Sequence, residues 1–448
     1  MPQIVKMPER NQHSSAYDLL GLGIGPFNLS VAALAQSIPQ MRTAFFDQKQ
    51  EFKWHHGLMF SGSILQTSFL KDLVTPVEPT SPYSFLAFLV EKKRFYDFLA
   101  GGFTGVTRVE FNEYLAWAAG KMSNLQWGRS AQDATLKDDA LTVTFDDGRV
   151  VSSKNLVIGT GMTPFLPHWS QPHLGENCFH ASNYLSQDRC FDNKCVTVIG
   201  GGQTGAEIVL DLLTNQQRKP KEVLWISNLP RFSPLEEGGF VDQVFTPGYV
   251  SSYQSLPERS QLQEVASQKL ASDGLTPSTV DELYAEVYRR KHLSNNECNI
   301  TLLSGRNVIA MERNGPSYQL TSQSAISEQV EQQQTDIVVL ATGARPALPD
   351  FMEPLLPRLS MDENGLPELD SSYKLAWDGP KNLQIFGLNL GLSSHGIVDP
   401  QMSLMAWRAA TILNRVVGSE LFDLDEDEQM IKWPSVPQES VLAQVMPA

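Results

Sequence analysis

Cysteine is scarce in this sequence, with Cys178, Cys190, Cys195 and Cys298 the four present in 448 residues. So few thiols exclude a disulfide-built scaffold and a cysteine-ligated metal cluster, and they fit a reducing compartment. Basic residues are also short: 35 Lys and Arg stand against 50 Asp and Glu, a formal charge of -15. That balance argues against nucleic acid or an anionic membrane as the main partner. No uninterrupted apolar run reaches spanning length, and "MPQIVKMPERNQHSSAYD" at the start lacks the apolar core of a secretory signal. A cytoplasmic chain without a membrane segment is expected. Charged residues make up 19% and apolar residues 42%, which describes a globular protein, and 448 residues exceed one ordinary core. Two or three domains follow from that length.

What the chain does have is glycine in two clusters. "DLLGLGIGPFNLS", residues 18 to 30, sets Gly21, Gly23, Gly25 and then Pro26 behind an apolar run. The stretch predicts a buried strand over 17–22, a tight turn, and a helix over 28–36 with apolar residues at helical spacing. Such a turn lets the backbone approach a pyrophosphate whose charge then sits at the helix N-terminus. "RTAFFDQ" supplies the next strand, ending in Asp47 and Gln48, and Asp47 stands 22 residues past Gly25, where a carboxylate accepts from ribose hydroxyls.

The pattern recurs in "VIGGGQTGAE", with a strand over 194–199, Gly200, Gly202, Gln203, Thr204 and Gly205 in the turn, and a helix over 206–214. Its second strand, "EVLWIS", ends without a carboxylate, and Arg231 follows. An acid there would repel a 2'-phosphate and an arginine would bind it, so this turn reads as an NADPH site with Arg231 as the phosphate reader. Two nucleotide folds in one chain imply two nucleotides whose reactive rings meet: FAD at the first turn and NADPH at the second.

Two further strands end in Thr-Gly, "NLVIGTG" and "DIVVLATG". "DDALTVTFDDGRVVS" predicts a hairpin around an Asp-Gly turn, and the Gln-rich 317–340 stretch predicts another strand pair. Residues 255–293 are helical in composition, with "PSTVDELYAEVYRRKHL" an amphipathic helix capped by Ser278. The acidic, proline-containing C-terminal stretch reads as a solvated tail.

"FKWHHGLMFSGSILQTSFLKDLVTPVEPTSPYSFLAFL", residues 52 to 89, closely resembles the signature of the microbial N-hydroxylating flavin monooxygenases of siderophore biosynthesis. These act on the side-chain amine of lysine or ornithine, or on one amine of putrescine or cadaverine. "G-x-G-P-x-N", "GGGQTGAE", "FVDQVFTPGYV" and "HGIVDPQMSLMAWRAATILNR" extend the resemblance over nearly the whole chain. It implies an α/β fold of two Rossmann-like dinucleotide-binding domains and a small helical substrate-facing unit. The FAD domain is expected as two pieces, 14–185 and 345–448, and the NADPH domain as 190–344 with the helical unit at 241–296 inside it. A homo-oligomer, a dimer or tetramer, is implied as well.

The resemblance further implies NADPH- and O2-dependent hydroxylation, in which a neutral amine attacks a flavin C4a-hydroperoxide. Gln66 and Lys71 are then expected beside flavin and substrate, and Trp54, His55 and Ser403 among the cofactor-binding residues. Trp54, Phe60, Phe69 and Phe85 are apolar enough to wall a flavin against water. A Lys71–Asp72 pair on the surface is the bland alternative for Lys71.

Ornithine hydroxylases hold their substrate's amino-acid end partly through asparagines, and here Asp242 and Asp273 fall at those positions. Carboxylates there favour the distal ammonium of a diamine over a substrate carboxylate. The order expected is cadaverine or putrescine, then lysine, whose hydroxylases share the "SDG" stretch, then ornithine. A disulfide or quinone reductase needs a thiol pair or quinone site beside the flavin, and the C-x4-C pair precedes the second turn instead of following the first. The fingerprint of a Baeyer-Villiger oxygenase is absent, and a non-catalytic nucleotide-binding protein would show no amine-dependent chemistry.

Overall fold

A computed structural model describes residues 16–294, 298–425 and 429–433. Two five-stranded sheets organise them. In the first, the strand order is Gln384–Gly387, Asn155–Ile158, Leu19–Leu22, Thr43–Asp47, Leu125–Trp127, all parallel. The second runs Asn299–Leu303, Glu222–Ile226, Cys195–Ile199, Ile337–Leu340, Cys178–His180, again all parallel. In both, the strand that leads into a glycine cluster is central. Its following strand lies on one side and a Thr-Gly strand on the other, so the chain reverses direction across the sheet there and leaves a crevice beyond the strand's carboxyl end.

Burial explains the uniform apolar strands: all four residues of Leu19–Leu22, Asn155–Ile158 and Ile337–Leu340 are buried, as in sheets covered on both faces. Helix Pro26–Ala35 packs with helix Met405–Val417 over the first sheet, which is how residues from the far end of the chain come back to its beginning. The strand Cys178–His180, inside the stretch expected in the FAD unit, hydrogen-bonds to the second sheet through Ile337–Leu340.

Each sheet carries a three-stranded antiparallel appendage. The predicted hairpin is Ala140–Phe145 with Val150–Ser153, joined by an unpredicted strand Ala131–Lys137. The Gln-rich pair is Ser317–Ser324 with Val330–Thr335, joined by Arg306–Asn314.

The helical stretch divides between two neighbours. Helix Pro247–Gln254 buries Tyr249, Val250 and Tyr253 against Ile397, Val398 and Leu404, whereas helix Pro277–His292 packs Leu283 on the second sheet's helix. That last helix starts two residues earlier than expected. Pro277 occupies the first helical position, which its missing N–H suits, so the cap falls at Thr276 and not at Ser278. Of the acidic tail, residues 426–428 and 434–448 lie outside the described residues, and Trp433 packs edge-on against Tyr249 at 4.8 Å. Among the described residues no helix is long and apolar enough to cross a membrane. All four cysteines are unpaired.

Candidate functional site

A cleft of about 1770 Å³ opens where the two crevices meet, and both glycine turns face it. From the first come Gly23, Gly25 and Pro26; from the second, Gly200, Gly202, Gln203 and Thr204. The glycines divide the work. Gly23 has φ +86, and a Cβ on it would lie 2.5 Å from the carbonyl oxygen of Gly159, so only glycine fits this turn. A Cβ on Gly202 would touch nothing within 4 Å and would project into open cleft.

Gly21 and Gly205 do not line the cleft. A Cβ on Gly21 would strike the Phe45 ring, and one on Gly205 the carbonyl oxygen of Gly200, so both serve close packing behind the turns. Asn28, buried one turn into the helix, donates to the carbonyl oxygens of Gly23 at 2.7 Å and Leu22 at 3.2 Å and fastens the first turn from inside.

The helices that follow begin at Gly25 and Gly202, neither of which offers a capping side chain. Their first N–H groups and positive dipole ends are therefore available to phosphate oxygens. Open space at Gly202, the uncapped helix starts and the joint cleft together fit two dinucleotides lying head to head.

Asp47 borders the same cleft, 8% exposed. Its Oδ2 accepts from the backbone N–H of Ile24 at 2.7 Å and faces Lys49 Nζ at 3.3 Å, so it also braces the first turn. Gln48, Trp54 and His55 complete this wall. His55 sits in the left-handed region with φ 47. Its ring is open to the cleft yet surrounded by protein, and burial, then the charges of Arg108, Lys49 and His56, lowers its pKa to about 4. Phe60, Phe69 and Phe85 are not cleft residues: Phe85 is fully buried among Phe69, Phe88, Phe98 and Tyr114, and Phe60 packs on Tyr184. Of the four aromatic residues expected around a flavin, Trp54 alone lines the cleft.

Gln66 lines the cleft and donates to Thr276 Oγ1 at 3.0 Å. Next to it Thr67 shares a 3.2 Å hydrogen bond with Ser403, which stands behind the lining. Lys71 lies just outside. Burial lowers its pKa, and Asp242 opposes that shift as the nearby opposite charge. Asp72 is not its partner. That carboxylate is fully buried and accepts from the N–H groups of Val74, Thr75 and Phe85 and from the Thr75 hydroxyl, closing the local turn.

Asp273 does line the cleft, with Lys269 and Ser272 beside it. Burial raises the Asp273 pKa, and Lys269 opposes the shift. Arg231 is exposed and outside the lining; the cation in that part of the wall is Arg306, held by Glu331 at 3.0 Å. Lys49, Lys269 and Arg306 carry no motif, which is why sequence spacing does not single them out.

Residues 15–346 match the family described as L-lysine 6-monooxygenase/L-ornithine 5-monooxygenase. Among similar curated proteins, the L-lysine N6-monooxygenase of Escherichia coli is 39% identical over 93% of this chain and 98% of its own length. The structure is similar to that of the FAD-bound cadaverine monooxygenase of desferrioxamine biosynthesis from Erwinia amylovora, with TM-score 0.87, 30% identity, and coverage of 95% and 99% of the two chains. It is also similar to a Kutzneria ornithine N-hydroxylase carrying reduced FAD, NADP+ and L-ornithine, with TM-score 0.83, 26% identity, and coverage of 90% and 99%. Two nucleotide folds opening on one cleft and these likenesses along nearly the full chain lead to one assignment: the protein belongs to the L-lysine 6-monooxygenase/L-ornithine 5-monooxygenase family, and is an FAD- and NADPH-dependent N-hydroxylating enzyme of siderophore biosynthesis.

Proposed function

We propose that this enzyme hydroxylates the side-chain amine of L-lysine. The observation that carries this is that an acid and a lysine line the cleft together, Asp273 and Lys269 at the two ends of the single helical turn Lys269–Asp273. A lone carboxylate would select a second ammonium, as the sequence reading had it. A carboxylate beside an ammonium instead complements a zwitterionic amino-acid end, whose carboxylate pairs with the lysine and whose ammonium pairs with the acid. The 39% identity to the lysine enzyme supports the same order. Cadaverine is the second reading, favoured by the likeness to the cadaverine monooxygenase.

In this proposal FAD lies along the first turn, against Gly23, Gly25, Asp47, Trp54 and His55, and NADPH along the second, against Gly200, Gly202 and Thr204. The FAD unit comprises the first sheet and the C-terminal helix that packs on it. FAD supplies the oxygen chemistry once reduced by NADPH. The chain's own groups bind, orient and exclude water. His55, with a pKa near 4, is neutral at working pH and adds no charge to the flavin wall. Lys269 and Asp273, both in the cleft lining, hold the far end of the amine so that the reacting nitrogen lies near Gln66, with Lys71 and Asp242 a second set of opposite charges outside the lining. That nitrogen must arrive unprotonated, against a free-solution pKa of about 10.4, so turnover rises from pH 7 towards 9.

The test is hydroxylamine formation by the purified holoenzyme with L-lysine, L-ornithine, cadaverine and putrescine side by side. A kcat/KM for lysine at least tenfold above the others supports the proposal, and an equal or higher value for cadaverine overturns it. Oxygen uptake alone does not serve, because an uncoupled flavoenzyme consumes NADPH while making peroxide.

A further inference from the structure

Gln203 stands at the first position of the helix that follows the second glycine turn, and all of its carboxamide hydrogen-bonding hydrogens are engaged with protein. Its Nε2 donates to Glu207 Oε1 at 2.8 Å and to Thr279 Oγ1 at 3.1 Å, which uses both of its hydrogens. Its Oε1 accepts from the backbone N–H of Thr276 at 2.8 Å.

Thr276 is not a cleft residue, but its hydroxyl accepts from Gln66, which is. Three residues earlier is Asp273, facing the cleft with Lys269 and Ser272. A line of polar contacts thus runs from the second nucleotide turn, through one side chain, to the end of the segment that presents the acid and lysine of the amine site. Glu207, 5% exposed, anchors the line on the helix and is itself paired with Arg108 at 2.9 Å.

We infer that Gln203 is a positioning residue that couples the two binding sites, so that NADP(H) at the second turn and the amine at Asp273 bind cooperatively. The inference rests on the placement of both ligands proposed above. A phosphate bonded to the first turn of the helix holds Gln203 in place, Gln203 holds Thr276, and the Lys269–Thr276 segment is then ordered before the amine arrives. The second ligand no longer has to supply that ordering.

The experiment measures amine affinity by calorimetry on the FAD-loaded enzyme, with L-lysine and cadaverine as probes, in the absence and presence of saturating NADP+. Wild type is expected to bind its preferred amine at least fivefold more tightly with NADP+, and by linkage the amine tightens NADP+ by the same factor. Hydrogen exchange over 269–276 should slow with NADP+ alone. Gln203→Met keeps the length of the side chain and removes its hydrogen bonds, and the factor should fall below twofold. Thr276→Val, which removes the arm to Gln66 and keeps the backbone N–H that Gln203 holds, should retain the factor and leave NADP+ affinity without amine as in wild type, and a factor lost here as fully as in Gln203→Met would overturn the route through that N–H.

A wild-type enzyme whose amine affinity ignores NADP+ overturns the inference. So does a Gln203→Met variant that loses NADP+ affinity equally with and without amine while keeping the factor, since Gln203 would then be a direct nucleotide contact. Asp273→Asn separates the two levels. Weaker amine binding in this variant supports the placement even where the coupling fails, and unchanged amine binding overturns the placement and the coupling that rests on it.

Discussion

At the scale of single residues, the two glycine turns fail in different ways. Gly23→Ala forces a methyl group against the Gly159 carbonyl from a left-handed backbone, so the expected outcome is protein that purifies with little or no flavin and a lowered Tm. Gly202→Ala meets no protein atom, so Tm and flavin content should stay near wild type while the NADPH KM rises about tenfold or more, the methyl occupying space where the pyrophosphate approaches. Flavin absorbance and NADPH titration check both.

Lys269 tests the substrate argument by sign. Lys269→Met should lower kcat/KM for lysine by one to two decades, the loss of about 1.5–3 kcal/mol from a charge-assisted contact, and should raise kcat/KM for cadaverine by freeing Asp273 for its second ammonium. A parallel fall for both amines would mean that Lys269 serves the local fold. For the 2'-phosphate, Arg306→Ala and Arg231→Ala belong in one experiment. The larger rise in KM for NADPH relative to NADH is expected for Arg306, the one of the two in the cleft wall.

At the scale of elements, the segment Gly391–Met402 joins the first sheet to its C-terminal helix and carries His395, one half of a buried aromatic pair. His395 stacks on Tyr373 at 3.8 Å and 16°, is fully buried, and has a pKa lowered to about 3, first by burial and then by the nearby Arg408. Folding therefore favours the neutral ring. Between about pH 6.5 and 3 the unfolded chain binds the proton and the folded chain does not, so this residue's contribution is complete above pH 6.5 and is lost as pH falls through that window. Tm should decline from pH 6.5 downward, and His395→Gln, which cannot take up that proton, should show a lower Tm at pH 7 and a shallower decline. An unchanged slope would assign the acid sensitivity to other groups. Because Pro400, Gln401 and Met402 at the end of this segment line the cleft, the same acidification is expected to release flavin before the sheets unfold.

At the scale of the whole molecule, the two sheets are tied by one nearly buried ion pair. Arg108, on the helix Arg108–Gly120, and Glu207, on the helix after the second turn, are 16% and 5% exposed. Removing the arginine strands a carboxylate that keeps a hydrogen bond from Gln203 and nothing of its charge balance. Arg108→Met should destabilise the holoenzyme by about 3 kcal/mol, and the double variant Arg108→Met with Glu207→Met should be more stable than Arg108→Met alone. Denaturant melts of the three variants and wild type form the cycle that decides it. A double variant as unstable as the sum of the singles would show that the two side chains do not act as a pair.

Local chemistry was enough to announce much of this protein. Strand, glycine turn and helix follow each other within about a dozen residues, so periodicity and turn chemistry disclose both nucleotide folds without tertiary contacts, and the block at 52–89 discloses the family. The Asp-Gly hairpin was equally readable, because Gly148 takes the φ of +77 that its turn needs. The arrangement of the site was decided by packing over long chain separations. Gln66 meets Thr276 across 210 residues and Arg108 meets Glu207 across 99, contacts that no spacing encodes. Phe85 looked like a flavin wall and went to the core, and Asp72 looked like a partner for Lys71 and closed a turn. An aromatic ring or a carboxylate has the same local signature in either place, and only the surrounding chain settles which one removes it from water at least free-energy cost. The charges around the acids belong to the same class: Asp242 and Asp273 were visible one at a time, but that Lys269 shares the cleft wall with Asp273 is set by the helical turn that carries both and by the fold that turns it towards the cleft.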